Sequence, residues 1–276
     1  MMSSSTQTNA SIETQLAVIV SSFDGMDDLW NPFWTLFFRF WPDCPYDRYL
    51  ISNHKTFQDS RVKTIPVGED RGWAANLRTA LESMPNRYVL YLQEDYLINA
   101  PIHSERIQRL ANTHRNSGAI CLCLYPRYNC RTPYTGDQSV DVVNEATPFR
   151  VSLQTSIWDK AALLALLRDD ESQWQFEYRA SRETHGLILT DRARITDPST
   201  WAVPYFVTGV VRGKWVPDAL KLCRAQGIRI DRNRRATHRF WRLRLLGARV
   251  KWYFKFGRVP PAPESQKQSF TAAETT

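Results

Sequence analysis

Short apolar runs alternate with amphipathic stretches along most of the chain. Residues 16–23 (LAVIVSSF) are an apolar run that stops at Asp24-Gly25, a turn signal. Asp27 and Asp28 suit a helix N-terminus and Pro32 its first turn, which predicts an aromatic-rich helix ending at Pro42. Residues 46–52 and 62–67 read as short strands. Residues 72–84 set Trp73, Leu77, Ala80 and Leu81 at i, i+4, i+7 and i+8, one face of a helix stopped by Pro85. The run 88–98 (YVLYLQEDYLI) reads as a strand buried on both faces. A helix over about 102–116 and an apolar strand at 119–124 follow. Repeated β-α units of this size predict an α/β fold, a mostly parallel central sheet flanked by helices.

After Pro126 the pattern changes. Residues 126–150 are rich in turn formers and show no helix, whereas 151–157 alternate as a strand with one wet face does. A helix at 158–167, strands at 186–195 and 205–212, and a helix at 217–226 closed by Gly227 complete the body. No internal repeat is visible. The expected organisation is a disordered 1–14, one domain over 15–230, a basic extension over 231–258 and a disordered polar tail over 259–276.

Composition narrows the class. A chain of 276 residues with 43% hydrophobic residues and ten tryptophans is long and apolar enough for a substantial core. No apolar segment precedes Thr14, so no signal peptide is expected, and no run reaches the ~18 apolar residues of a membrane span. The five cysteines contain no CxxC pair, and Cys121 and Cys123 alternate along a strand. They read as apolar packing in a reducing compartment rather than as disulfides or a zinc site. The net charge of +8 is uneven. Residues 231–258 hold ten Lys/Arg and one acid, a net of +9, so the remainder carries −1.

Glu94 and Asp95 stand out because they interrupt an apolar strand. Removing a carboxylate from water costs several kcal/mol unless a partner compensates. Both are therefore expected at the strand's carboxyl end, where open α/β sheets bind ligands, with a metal ion or charged ligand offsetting their repulsion.

Several strings in order, SSFDG at 21–25, DRGWAANLRTAL at 70–81, YVLYLQEDYL at 88–97, SLQTSIWDK at 152–160, WQFE at 174–177 and VVRGKW at 210–215, resemble nucleotide-sugar glycosyltransferases of the GT-A fold, a bacterial polysaccharide-building group. The resemblance implies a Rossmann-like GT-A catalytic domain over 15–230. It implies transfer of a sugar from a nucleotide-diphosphate donor to a sugar or lipid-linked acceptor, with inversion. Asp24 stands where that fold contacts base or ribose, although Asp24-Gly25 reads equally as a plain turn. Asp70, before a helix whose N-terminus can face a diphosphate, is expected at the donor, and Trp73 in the core. Glu94 and Asp95 occupy the place of the Asp-x-Asp motif that holds Mn²⁺ or Mg²⁺, but Gln93 replaces its first acid, so Asp95 carries the metal role with Glu94 second. Glu177, between Trp174 and Phe176, is the expected general base, its pKa raised by those rings. Arg212 and Lys214 are candidates for the diphosphate or an anionic acceptor, and otherwise for structural ion pairs. His54, His103 and His114 read as surface residues. His185 and His238 are conceivable third metal ligands that lie in no ligand-spaced motif.

On a helical wheel the basic extension shows two apolar stripes flanked by cations, with Trp241, Arg242, Arg244, Lys251, Trp252 and Lys255 as membrane-contact candidates. Such a helix suits an anionic membrane surface, giving a peripheral protein on the cytoplasmic face of the cell membrane. The competing reading is a nucleic-acid-binding protein whose basic aromatic segment contacts phosphates and stacks on bases. A near-neutral body without a recognition signature disfavours nucleic acid.

Overall fold

The computed structural model describes residues 11–127, 130, 132–194, 197–206 and 208–238. A single turn, α1 (Ile12–Gln15), leads into β1 (Leu16–Ser21), whose six residues are all buried. The alternate residues Leu16, Val18 and Val20 face one layer of helices, and Ala17 and Ile19 face the other. A continuous apolar run is what a strand covered on both sides requires.

A 3₁₀ segment (Asp24–Leu29) then passes into α2 (Trp30–Phe40). Phe33, Trp34 and Phe37 of α2, with Trp41 just beyond it, pack ring on ring under the first layer. The chain continues through β2 (Asp47–Ser52), β3 (Lys63–Pro66), α3 (Trp73–Ser83), β4 (Tyr88–Gln93), the short β5 (Leu97–Ile98), α4 (Ser104–Ser117) and β6 (Cys121–Cys123). Next come β7 (Thr132–Tyr134), β8 (Asp137–Val142), β9 (Ser156–Asp159), α5 (Lys160–Leu166), α6 (Gln173–Glu183) and β10 (Ile188–Asp191). The short strands β11 (Tyr205–Phe206), β12 (Val210–Val211) and β13 (Lys214–Trp215) precede α7 (Pro217–Ala225). Residues of α2, α4 and α7 lie in the first apolar layer, and residues of α3, α5 and α6 in the second.

The main sheet has the order β3-β2-β1-β4-β9-β6-β10-β8-β7. Its core is parallel: β1 pairs in parallel with β2 and β4, and β2 with β3. β9 runs antiparallel between β4 and β6. The order reverses between β1 and β4, so the crevice at their carboxyl ends is the topological switch point where open α/β sheets place ligands.

Three segments depart from the periodicity reading, each for a reason outside the local pattern. The strand expected at 151–157 begins only at Ser156, because the N–H groups of Val151 and Leu153 are taken by side chains of α6. The helix expected from Trp158 starts at Lys160: Trp158 belongs to β9, and Asp159, the last residue of that strand, accepts from the Ala162 N–H as the N-cap. The strand expected at 205–212 is split into β11 and β12. Between them Gly209 donates its N–H to the Asp95 carbonyl at 2.9 Å, and a Cβ there would meet that carbonyl at 3.1 Å. The helix-free stretch 126–150 carries the antiparallel β7–β8 pair that extends the sheet. His114, expected at the surface, is buried with its ring edge-on to Tyr88.

Candidate functional site

The carboxyl ends of β1 and β4 meet where Ser21 is registered with Gln93. Glu94 and Asp95 follow β4 directly and are both buried, 8% and 9% exposed. Asp95 is held by the opposite segment: its Oδ2 accepts from the Thr208 hydroxyl at 2.8 Å and lies 3.5 Å from the Val210 N–H. Burial pushes both carboxyls above their usual range, and for Glu94 the neighbouring Asp95 charge adds to it. Opposing charges act on Glu94: Arg235 favours its ionised form, and Asp95 and Asp28 disfavour it. Two adjacent buried carboxylates form a costly arrangement that a cation would relieve.

Asp24 sits at the end of β1 but points into its own fold. Oδ1 accepts from the Asn53 N–H at 2.9 Å and Oδ2 from the His54 N–H at 3.0 Å, with Lys55 N–H at 3.2 Å. Burial pushes this carboxyl up, but the backbone donors outweigh it and hold the group below its usual range. Asp24 therefore ties the loop after β2 to the end of β1. Asp70 is exposed and organises the approach to α3, its Oδ1 accepting from the Gly72 N–H (3.0 Å) and from Asn76 Nδ2 (2.8 Å). Gly72, at φ +93, precedes the helix in a conformation that L side chains rarely adopt. The half-buried Trp73 joins α3 to β4 through its indole N–H, which donates to the Tyr91 hydroxyl at 3.1 Å.

Glu177 is brought to the same end of the sheet. A capping box at Ser172 and Gln175 starts α6, and its buried residues Phe176 and Ala180 fix the helix in the second apolar layer. Glu177 Oε1 accepts from the Leu153 N–H at 2.6 Å and from the Ser152 hydroxyl at 3.0 Å. Both bonds fall on one oxygen, so Oε2 is the one left to take a proton. Burial raises the carboxyl's pKa despite these donors and the charge of Arg127. The expected pair of flanking rings is half right: Phe176 is buried, but Trp174 is 75% exposed, so the shift comes from burial under 151–153 rather than from Trp174. Tyr96 links this edge to Asp95, its hydroxyl donating to the Leu153 carbonyl at 3.2 Å and its ring stacking on Tyr205 at 4.8 Å.

Arg212 and Gly213, with φ of 49° and 71°, form the two central positions of the tight turn joining β12 to β13. The turn lies against the Arg235 side chain, whose Nη1 is 3.3 Å from the Gly213 carbonyl. Lys214 is exposed. The structure thus gathers Glu94, Asp95, Arg235 and the Arg212 turn at one mouth and Glu177 along its β9 side, while Asp24 and Asp70 shape neighbouring loops.

Arg127, Thr208 and Arg235 were not singled out by sequence. In the sequence Arg235 falls in the basic extension, whose pattern reads as a helix. It lies in no helix: residues 231–238 form turns and a bridge to β13. No local signal marks a residue whose partner lies 207 positions away. The membrane-contact candidates Trp241, Arg242, Arg244, Lys251, Trp252 and Lys255 lie outside the described residues. Among those described, no helix is long and apolar enough to cross a membrane.

The donor set suits a hard divalent cation, which takes oxygen ligands and commonly uses one or two carboxylates completed by phosphate and water. Glu94 and Asp95 fit that role. Among the described residues no group of three or more His, Cys, Asp or Glu could hold a metal ion. His185 is exposed, with Nδ1 3.4 Å from Glu145, and His238 ties its backbone to Trp215.

No family model matches the sequence, and no curated protein does either. Among solved structures, S. aureus TarS 1–349 is similar at 13% identity and a TM-score of 0.48, over 77% of this chain and 64% of that one. The chain thus spans less than two thirds of that structure. TarS 1–349 in complex with UDP is similar at 14% identity and a TM-score of 0.48, over 89% and 73% of the two chains. The mannosyltransferase PcManGT from Pyrobaculum calidifontis, in complex with GDP-Man and Mn²⁺, is similar at 13% identity and a TM-score of 0.42, over 65% and 57%. Each is a likeness of fold alone.

Proposed function

We propose that the protein is a glycosyltransferase that moves a sugar from a nucleoside-diphosphate donor to a hydroxyl acceptor. The observation that carries this reading is the buried Glu94–Asp95 pair at the switch point between β1 and β4, with a third carboxylate, Glu177, at the same end of the sheet. A nucleoside diphosphate lies with its base toward the loops tied by Asp24 and its phosphates toward the β4 mouth. Mn²⁺ or Mg²⁺, when bound by Asp95 and Glu94, supplies positive charge to the departing diphosphate. Glu177 Oε2 accepts the acceptor hydroxyl's proton as that oxygen attacks the sugar carbon, while Ser152 and the Leu153 N–H keep Oε1 in place. A base on the face opposite the leaving group gives inversion. Arg212, at the turn beside the mouth, and Asp70, before α3, are further donor contacts in this reading.

A lipid-linked or polysaccharide acceptor at the cytoplasmic membrane face accords with the basic aromatic composition of 239–258. Co-sedimentation with anionic vesicles and with RNA separates this from the nucleic-acid reading. Binding to RNA but not to vesicles removes the membrane assignment.

The deciding experiment is nucleotide-sugar hydrolysis and transfer across a donor panel, with and without Mn²⁺, for wild type, Asp95→Asn and Glu177→Gln. Expected are a metal-stimulated wild type, a fall of about 10²-fold or more for Asp95→Asn, and loss of transfer with donor binding retained for Glu177→Gln. Metal-independent turnover indifferent to Asp95→Asn ends the metal role. Unchanged transfer in Glu177→Gln ends the base assignment.

A further inference from the structure

Beyond α7 the chain turns at Gly227 and comes back to the sheet. The Trp215 N–H donates to the Ala236 carbonyl at 2.8 Å, and the His238 N–H donates to the Trp215 carbonyl at 2.8 Å. Thr237 bridges Trp215 in parallel. These bonds fix the backbone just after Arg235, whose side chain crosses to the end of β1. There Nε donates to Asp28 Oδ2 at 2.9 Å and Nη2 to Asp28 Oδ1 at 2.8 Å, a two-point contact between groups 10% and 8% exposed. The remaining contacts are longer: Nη2 lies 3.3 Å from both the Gly25 carbonyl and the Met26 sulfur, and Nη1 3.3 Å from the Gly213 carbonyl.

A guanidinium has five N–H donors. Asp28 takes one from Nε and one from Nη2, the Gly25 carbonyl and the Met26 sulfur share the second from Nη2, and Gly213 takes one from Nη1. One Nη1 hydrogen is left without an acceptor among the described residues. That edge stands between the loop ending β1 and the Arg212–Gly213 turn, within electrostatic reach of Glu94. The neighbouring cations differ. Lys55 and Arg234 both pair with Asp27 and are 49% and 42% exposed, as surface ion pairs are. Arg235 alone of the three is buried and held in one plane, the geometry suited to a phosphate group.

We propose that Arg235 is a donor-site residue whose Nη1 edge binds the diphosphate of the nucleotide sugar, with Asp28 as the positioning residue that holds the guanidinium plane. The assignment rests on the reading of the mouth as a sugar-nucleotide site. It places a phosphate-binding cation beside an acid pair that would otherwise repel the phosphates. It also makes residues 231–238 part of the catalytic body.

The test compares nucleoside diphosphates with the bare nucleosides. Binding of UDP, GDP, uridine and guanosine to the full-length protein in Mn²⁺ is measured by calorimetry and ligand-observed NMR for wild type, Arg235→Met and Arg235→Lys. Thermal unfolding without ligand is recorded for each. Expected is a loss of at least about tenfold in diphosphate affinity for Arg235→Met with nucleoside affinity unchanged, partly recovered in Arg235→Lys. Parallel weakening of both ligand classes, or no weakening, makes Arg235 a structural clamp and overturns the proposal. If Arg235→Met shows no cooperative unfolding, Arg235→Lys decides: it keeps the charge but not the planar fork, so a loss confined to the diphosphates supports the assignment and its absence overturns it. A wild type that binds no nucleoside diphosphate removes the sugar-nucleotide reading itself, and this assignment with it.

Discussion

Two buried ionisable side chains make opposite demands on pH. Glu94 has its pKa raised in the fold, so its ionisation is harder there than in the unfolded chain. The cost is absent below the unfolded value near 4.5, grows as pH rises, and is complete above the folded value of about 8. Glu94→Gln should therefore raise metal-free stability at pH 8 by about 1–2 kcal/mol, and by little at pH 4, in urea titrations at the two pH values. Addition of Mn²⁺ should narrow the difference. His114 works the other way. Burial lowers its pKa from 6.5 to about 4, so the unfolded chain takes up a proton between those values that the folded chain refuses. Stability contributed by the neutral ring is complete above pH 6.5 and is lost as pH falls toward 4. His114→Phe should flatten that acid limb, as read from melting temperatures between pH 4 and 7.

At the scale of elements, α6 connects folding to chemistry. Ser172 accepts from the Gln175 N–H and Gln175 reaches back to the Ser172 N–H at 2.9 Å, which sets where the helix starts and therefore where Glu177 stands. Ser172→Ala should cost about 1 kcal/mol of stability and reduce transfer less than Glu177→Gln does, by denaturation and steady-state kinetics respectively. The elements that periodicity made legible, β1 to β4 and α3, α4 and α7, are those whose burial pattern is written in their own residues. The turn-rich stretch hid β7 and β8, because a short hairpin at the end of a sheet carries no long apolar run. Residues 151–155 read as a strand because apolar and polar residues alternate there, yet Ser152 on the expected wet face is buried and the N–H groups of Val151 and Leu153 serve α6. The acid pair was legible as an electrostatic anomaly, and Glu177 as a family-like position. Its pairing with Ser152 and Leu153 was not, since nothing near 177 encodes what folds over it.

At the scale of the molecule, the first described residues of the basic segment are tied to the body. The sequence pattern separates a domain ending at 230 from a basic segment beginning at 231, but Arg235, Ala236 and His238 are bonded to Asp28 and Trp215. Truncation after residue 230 should lower the melting temperature by several degrees and weaken donor binding, because it exposes Asp28 and leaves Trp215 without its backbone partners. Truncation after residue 238 should leave both nearly unchanged and abolish vesicle binding, as read by differential scanning fluorimetry and flotation. The Asp28–Arg235 contact also sets an order of events during synthesis. Its two halves are separated by 207 positions, so at about 5–20 residues per second a ribosome needs on the order of 10–40 s to supply the cation after the acid has been made. Once β4 has been made it can pair with β1, but the mouth between them lacks the Arg235 charge until that residue is added. The contact between the segment after β1 and the residues after α7 is therefore among the last the body makes, formed only once translation has passed residue 235.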